Sequence, residues 1–315
     1  MKKIVVAGEI LVEIMADTAG NGFRAPLALT GPYPSGAPAI FIDQVARMGQ
    51  PCGIISMVGN DDFGRMNTER LAADGVDISA ICIDHERPTG SAFVRYRADG
   101  SRDFVFNIRH SACGTLPKSD TVDALLASAH HLHVMGSSLS SPEIIAFNID
   151  AARAICAKGG TVSFDPNLRK EILDAPGMGE AMQAILSATD IFLPSGDEIT
   201  LLTKAKDEAG AVAELLARGI RAIVHKQGST GVAYHDAAGR RFVPAFKVQE
   251  VDPTGAGDCF GGAFTALWLR GEDIDRALTL AAAAGALAVT ERGPMEGAAT
   301  LDNIRAFAAS QGRFV

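Results

Sequence analysis

The stretch Val251-Asp252-Pro253-Thr254-Gly255-Ala256-Gly257-Asp258-Cys259-Phe260-Gly261-Gly262 decides how this sequence folds and what it does. The strand-like run AFKVQEV (245–251) precedes it and the helix-periodic run 260–269 follows. A strand, a glycine turn and a helix in that order present free backbone N–H groups to an anion, because the first amides of a helix lack intrahelical partners and the helix dipole adds positive potential there. Glycines at 255 and 257 let phosphate oxygens approach without a Cβ in the way. Asp258, in the first turn, is placed to take a proton from an acceptor hydroxyl while the free backbone amides of the turn stabilise a transferring phosphoryl group. The plain alternative is an aspartate that only complements the helix dipole.

Outward from that motif, short β-rich runs alternate with helical patterns. Strands are predicted at KKIVVAG (2–8), 52–59, HHLHVMG (130–136), TVSFDPN (161–167), DIFLPS (190–195) and RAIVHKQG (221–228). Helices are predicted over 39–48, 64–74, 142–158, 179–188 and 209–218, several closed by glycine. Such alternation marks parallel βαβ units with helices on both faces of the sheet. Two runs, SAFVRYR (91–97) and RDFVFNIR (102–109), are instead joined by the hairpin turn ADGS. Residues 11–29 add one or two further strands. The expectation is an α/β fold, one main domain over 1–315, carrying a small β-sheet lid built from about 11–29 and 90–109 that closes over a ligand.

The chain has 315 residues and a net charge of −8, with no lysine- or arginine-rich run. Nucleic acid and anionic membrane surfaces both need clustered positive charge, so neither is an expected partner. No run approaches 18 apolar residues, and Glu9 and Glu13 interrupt the apolar N-terminus, so a cytoplasmic protein is expected. Five scattered cysteines without a CxxC pair fit free thiols in a reducing compartment. His130, His131 and His133 have HxH-like spacing but adjacent ones point to opposite faces, and no acidic partner is evident nearby. Two other nucleotide-binding signatures, GxxxxGK[ST] and GxGxxG, are absent.

DPTGAGDCFGGAF resembles the second signature of the ribokinase, or pfkB, family of carbohydrate kinases, whose pattern is D-T-x-G-A-G-D, and the resemblance runs along essentially the whole chain. It implies a three-layer α/β/α fold with a mainly parallel central sheet and a β-sheet lid. The implied activity is transfer of the γ-phosphate of ATP to a small sugar, with Mg2+, with K+ as a further cofactor, and with a homodimer formed through the lid sheet. It implies that Asp258 is the catalytic base and Gly255, Ala256 and Gly257 the anion hole, with Thr254 near the phosphates and Asp252 at a monovalent-cation site. The segment Ser35-Gly36-Ala37-Pro38-Ala39 resembles the first signature, with Ser35 replacing a glycine and Ile40 an asparagine; Gly36 and Ala37 keep backbone amides for sugar hydroxyls. VGNDDFG (58–64) matches the family's V-G-x-D-x-x-G. Glu198 keeps the acidic end of the N-x-x-E motif, with Ser195 for its asparagine, and would reach Mg2+ through water. Lys226, Gly228 and Gly231 fall in the ATP-side segment, and Ala286 on a small-residue helix leaves room for adenine.

For the acceptor, Asp165, Asn167 and Arg169 match the D-x-N-x-R of ketohexose and 2-keto-3-deoxygluconate kinases, Glu13 follows their opening G-E-x-L-V-D/E, and Arg109 matches the lid arginine of the sugar-acid subgroup. The aromatic residues of that subgroup align here with Ala92 and the 107/108 region, so the resemblance favours a ketohexose such as tagatose or fructose over 2-keto-3-deoxygluconate. A nucleoside kinase ranks third. A non-catalytic sugar sensor, the reading from a different class, gives no reason to retain Asp258 with its glycine turn.

Overall fold

The computed structural model describes residues 1–20, 22–97, 102–168 and 177–313. Arg169 and the hairpin turn at 98–101 therefore lie outside the described residues, as does Asn21 of the TAGNG interruption.

The main sheet contains β1 (Ile4–Ala7), β4 (Cys52–Gly59), β5 (Ile81–Asp84), β8 (His131–Met135), β9 (Thr161–Asp165), β10 (Ile191–Phe192), β11 (Ala222–Lys226), β12 (Gly231–Asp236) and β13 (Gly239–Pro244), in the spatial order β13-β12-β11-β10-β9-β8-β1-β4-β5. Pairings from β11 across to β5 are parallel, and β12 and β13 extend the sheet as an antiparallel hairpin. The central strands are buried on both sides; β1 reads as a continuous apolar run, while β8 buries His131 and His133 among its apolar residues. Alternation along each strand feeds two cores. Ile4, Val6 and Ile54 join one cluster and Val5, Ala7 and Ile55 the other.

The first core lies beneath α1 (Ala37–Arg47), α8 (Ala256–Arg270), α9 (Ile274–Ala288) and α10 (Leu301–Ser310). The second lies beneath α3 (Asp120–Ser128), α4 (Pro142–Ala157), α5 (Met178–Leu186) and α7 (Glu208–Ala217). Helix starts follow local chemistry: Asp61, Ser119, Ser141, Asp207, Asp273 and Thr300 each cap a helix by accepting an amide N–H. The remaining helices are α2 (Asp62–Ala73) and the single turn α6 (Glu198–Leu201).

A separate four-stranded sheet has the order β3-β2-β6-β7, from β2 (Leu11–Ala16), β3 (Leu29–Ser35), β6 (Gly90–Tyr96) and β7 (Arg102–Asn107). The expected hairpin is present as antiparallel β6 and β7. Three expectations need correction. The second strand at the front of the chain begins only at Leu29 and runs to Ser35, beyond the expected segment 11–29. AFKVQEV is not a strand, because 245–250 leave the sheet after β13 and approach the glycine turn as extended loop. Of DIFLPS only Ile191 and Phe192 pair on both sides. The β12–β13 hairpin was not foreseen, although its apolar residues Val232, Ala233, Tyr234 and Val243 are buried.

Candidate active site

The glycine turn caps α8 through Gly255, whose φ of 83° is left-handed. A Cβ there would stand 2.3 Å from the Pro294 carbonyl oxygen, so the position demands glycine. The first intrahelical bond runs from Cys259 N to Gly255 O. The amides of Ala256 and Gly257 precede that bond and have no intrahelical acceptor at the positive end of a 15-residue helix. Ile40, where the resemblance expects asparagine, is buried and would meet a side chain at 255 at 3.3 Å. Here the first signature packs its apolar side against the second.

Asp258 lies in the first turn of α8, and Asn167 holds its Nδ2 3.4 Å from Asp258 Oδ1. Asn167 has a positive φ of 39°, a conformation asparagine tolerates, and its own N–H donates to Asp165 Oδ1 at 3.1 Å. The other Asp165 oxygen is ion-paired with Lys226, so both its oxygens are engaged within the protein. Burial works to lower the Lys226 ammonium, but Asp165, aided by Glu198 and Asp258, outweighs it and raises the group above the ordinary lysine value. Lys226 stays charged at neutral pH.

Glu198, opening α6, accepts the N–H of Leu168 on Oε1 and of Ser195 on Oε2, each at 2.7 Å. Burial, reinforced by Asp165, raises its carboxyl above the usual range against the pull of Lys226. A hard oxygen donor fixed by backbone amides suits an outer-sphere contact to Mg2+, an ion that keeps much of its water. Asp252 is 1% exposed; its Oδ1 accepts from Thr254 N (3.0 Å), Thr254 Oγ1 (2.8 Å) and the Tyr96 hydroxyl (3.3 Å), and its Oδ2 from Gly293 N (3.1 Å). This buried carboxylate, whose four donors named above are all neutral, suits a monovalent cation nearby.

A cavity of about 1030 Å³ opens beside these groups. Its lining brings together Lys226, Gly228, Gly231, Ala256, Gly257 and Ala286, while Thr254 and Gly255 are not part of it. Gly285 on α9 approaches Ala256 so closely that a Cβ would lie 3.0 Å from its carbonyl oxygen, which explains the small residues there as packing as well as space.

At the acceptor end Glu13 is 4% exposed on β2, and the Ser35 hydroxyl donates to its Oε2 at 3.2 Å. Gly36 and Ala37 follow directly at the start of α1. Register pairs Glu13 with Ala92 and Ala92 with Phe106, so Glu13, Ala92 and Phe106 share one face of the small sheet. Phe104, two residues back, stacks on Phe106 with ring centroids 5.0 Å apart. Arg109 is exposed and lines a second cavity of about 530 Å³ together with Asp61, Phe63 and Phe106. Tyr96, Arg102, Phe104 and Phe106 were missed from sequence; the period-two alternation running from Ala92 through Val94 to Tyr96 would have assigned them to the inward face.

The histidines prove structural. His131 and His133 are buried and share the Ser163 hydroxyl at 2.7 Å each, and burial drives the His131 imidazole down to about 3. No group of metal-ligating side chains occurs among the described residues. The five cysteines are unpaired. Among the described residues no helix is long and apolar enough to cross a membrane.

Comparison with known proteins follows the geometry. The pfkB family carbohydrate kinase profile matches residues 1–301. A 2-dehydro-3-deoxygluconokinase of Thermoproteus tenax is 33% identical over 94% of this chain and 91% of its own. A probable fructokinase-5 of Arabidopsis thaliana is 31% identical over 92% of each chain. An Escherichia coli protein provisionally called Ribokinase II, solved in complex with ATP and Mg2+, superposes with a TM-score of 0.92 at 48% identity, covering 98% of this chain and all of the other. With a ribokinase-like sheet, a capped anion turn and an adjacent carboxylate in place, the chain belongs to the pfkB family of carbohydrate kinases and is an ATP-dependent sugar kinase.

Proposed function

We propose that the chain transfers the γ-phosphoryl group of ATP to a hydroxyl of a neutral ketohexose such as tagatose or fructose, with Asp258 as general base. The observation carrying this reading is the pairing of the α8 amides with the Asp258 carboxylate in one helical turn. The amides favour the negative phosphoryl oxygens, and the carboxylate accepts the hydroxyl proton as the oxygen attacks. Lys226, Gly228, Gly231, Thr254 and Ala286 bind ATP, and Glu13, Gly36, Ala37 and Asn167 bind the sugar. Asp165 acts from behind, fixing Lys226 and Asn167. Mg2+, when bound near Glu198, supplies charge neutralisation for the phosphates. K+ beside Asp252 would steady the turn. The small sheet closes over the acceptor and excludes water.

A neutral acceptor is favoured because the acceptor end carries two carboxylates, Glu13 and Asp258. A sugar acid would bring its own negative charge against them. Phe104 and Phe106 offer apolar faces to sugar C–H groups. The half-exposed edge strand β7, with Val105 at 50%, supports a homodimer through the small sheet, and unpaired thiols support a reducing cytoplasm. ADP release measured over a panel of monosaccharides and sugar acids tests the reading. Preference for 2-keto-3-deoxygluconate over tagatose and fructose by more than about tenfold in kcat/KM, which is about 1.4 kcal/mol, would overturn the choice of sugar.

A further inference from the structure

We propose that Arg102, carried on the small sheet, reaches the γ-phosphate of ATP and supplies charge to the transferring group, so that closure over the sugar completes the phosphate site. This rests on the phosphoryl-transfer reading above and adds a residue to it. Arg102 begins β7 and faces Tyr96 on β6 as its cross-strand partner. Both side chains leave their own sheet and bond the glycine turn. The Tyr96 hydroxyl meets Asp252 at 3.3 Å, and Arg102 Nη1 donates to Thr254 Oγ1 at 2.7 Å. Thr254 immediately precedes Gly255, and its hydroxyl is itself bonded to Asp252. The hairpin thus holds the turn at two points, two residues apart.

Arg102 is also the one small-sheet residue in the lining of the 1030 Å³ cavity among the described residues. Its described contacts are the Thr254 hydroxyl and the face of Phe104, 5.7 Å from the guanidinium carbon, with no carboxylate within ion-pairing distance among the described residues. A guanidinium with N–H donors unused among the described residues, half-buried at the mouth of an anion turn, is matched to phosphate oxygens. Phe104 links it to the acceptor, because the ring beneath the guanidinium stacks on Phe106 on the face shared with Glu13. In the transfer, the sugar oxygen bonds to the γ-phosphorus as the bond to the β,γ-bridging oxygen breaks. The electron pair stays with ADP and the hydroxyl proton passes to Asp258. Arg102 remains protonated and offsets charge on the equatorial oxygens throughout.

The test uses the full chain with Arg102→Ala and Arg102→Lys, their folding checked by thermal melting. Arg102→Ala should lower kcat by at least about 30-fold, as loss of a positioned cation in phosphoryl transfer does, with the lysine variant intermediate. Titration with ADP and with β,γ-imido-ATP should show the analogue weakened by at least about fivefold more than ADP, since only the analogue carries a γ-phosphate. Added guanidinium ion should restore part of the rate in Arg102→Ala, which a merely structural arginine would not allow. An active wild type with Arg102→Ala within about threefold in kcat overturns the inference, because an interaction worth so little is not transition-state stabilisation. If the wild type phosphorylates no sugar on the panel, the functional reading has failed. The titration then decides Arg102 alone, with equal effects on ADP and analogue counting against it.

Discussion

Lys226 and Asp165 form a buried ion pair linking the ends of β11 and β9 directly below the first turn of α8, where a Cβ at Gly257 would lie 3.6 Å from the Lys226 ammonium. The pair joins the floor of the phosphate site to Asn167 and, through it, to the proposed base.

Lys226→Met strands the Asp165 carboxylate beside Glu198. The expected loss of stability is about 3–5 kcal/mol, the usual result of removing one partner of a buried pair. Urea denaturation checks it. The double variant Lys226→Met/Asp165→Leu should recover at least about 1 kcal/mol, because no unpaired charge remains. A double variant less stable than Lys226→Met alone would count against this account.

Asp258→Asn keeps the shape of the turn and removes the proton acceptor. Turnover should fall by about 10²–10⁴, while ATP affinity stays within a few-fold. Near-wild-type turnover, read by coupled ADP release, would show that the proton leaves by another route.

Glu198 is expected to act through Mg2+, so activity should vanish in excess EDTA and return with added Mg2+. Glu198→Gln should raise the Mg2+ concentration needed for half-maximal rate. It should also cost stability, since each Glu198 oxygen anchors a backbone amide. Full activity in EDTA would remove the metal from the scheme.

Arg109→Ala distinguishes the acceptors. For a neutral ketohexose the loss in kcat/KM should not exceed about 1–2 kcal/mol, as for lost neutral hydrogen bonds. For a sugar acid it should exceed about 2–3 kcal/mol, because a carboxylate loses its partner. The exposed position of Arg109 points to the smaller figure.

Asp61 gives a pH-dependent prediction. Burial works to raise its carboxyl, but hydrogen bonds from Thr89, on both N–H and hydroxyl, and from Gly64 outweigh it and hold the group below the usual carboxylate value. A lowered folded value means the stabilisation is complete above the unfolded value of about 3.9 and is lost as pH falls through the folded one. Asp61→Ala should therefore cost about 0.5–2 kcal/mol at pH 7, with the gap to wild type closing below about pH 4. A gap unchanged down to pH 2 in thermal melts would assign the cost to something other than ionisation.

The sequence by itself determined the parallel α/β core, because strands buried on both faces are predominantly apolar and helices must alternate with them. β4 matched its expected bounds of 52–59, and α4 lay within one residue of its expected span. It also determined the local geometry of the glycine turn. The φ of Gly255, the start of α8 at Ala256 and the place of Asp258 in its first turn all follow from local order along the chain. Tertiary structure alone decided which side chains meet across long separations. Asp165 matches a sugar-binding motif in sequence, yet its oxygens are taken by Lys226, 61 residues away, and by Asn167. Arg109 aligns with a lid arginine but stands in a different cavity, while Arg102, unremarked in the sequence, reaches Thr254 across 152 residues. Strand periodicity states which face a residue occupies, but only the docking of one sheet against another states what that face meets.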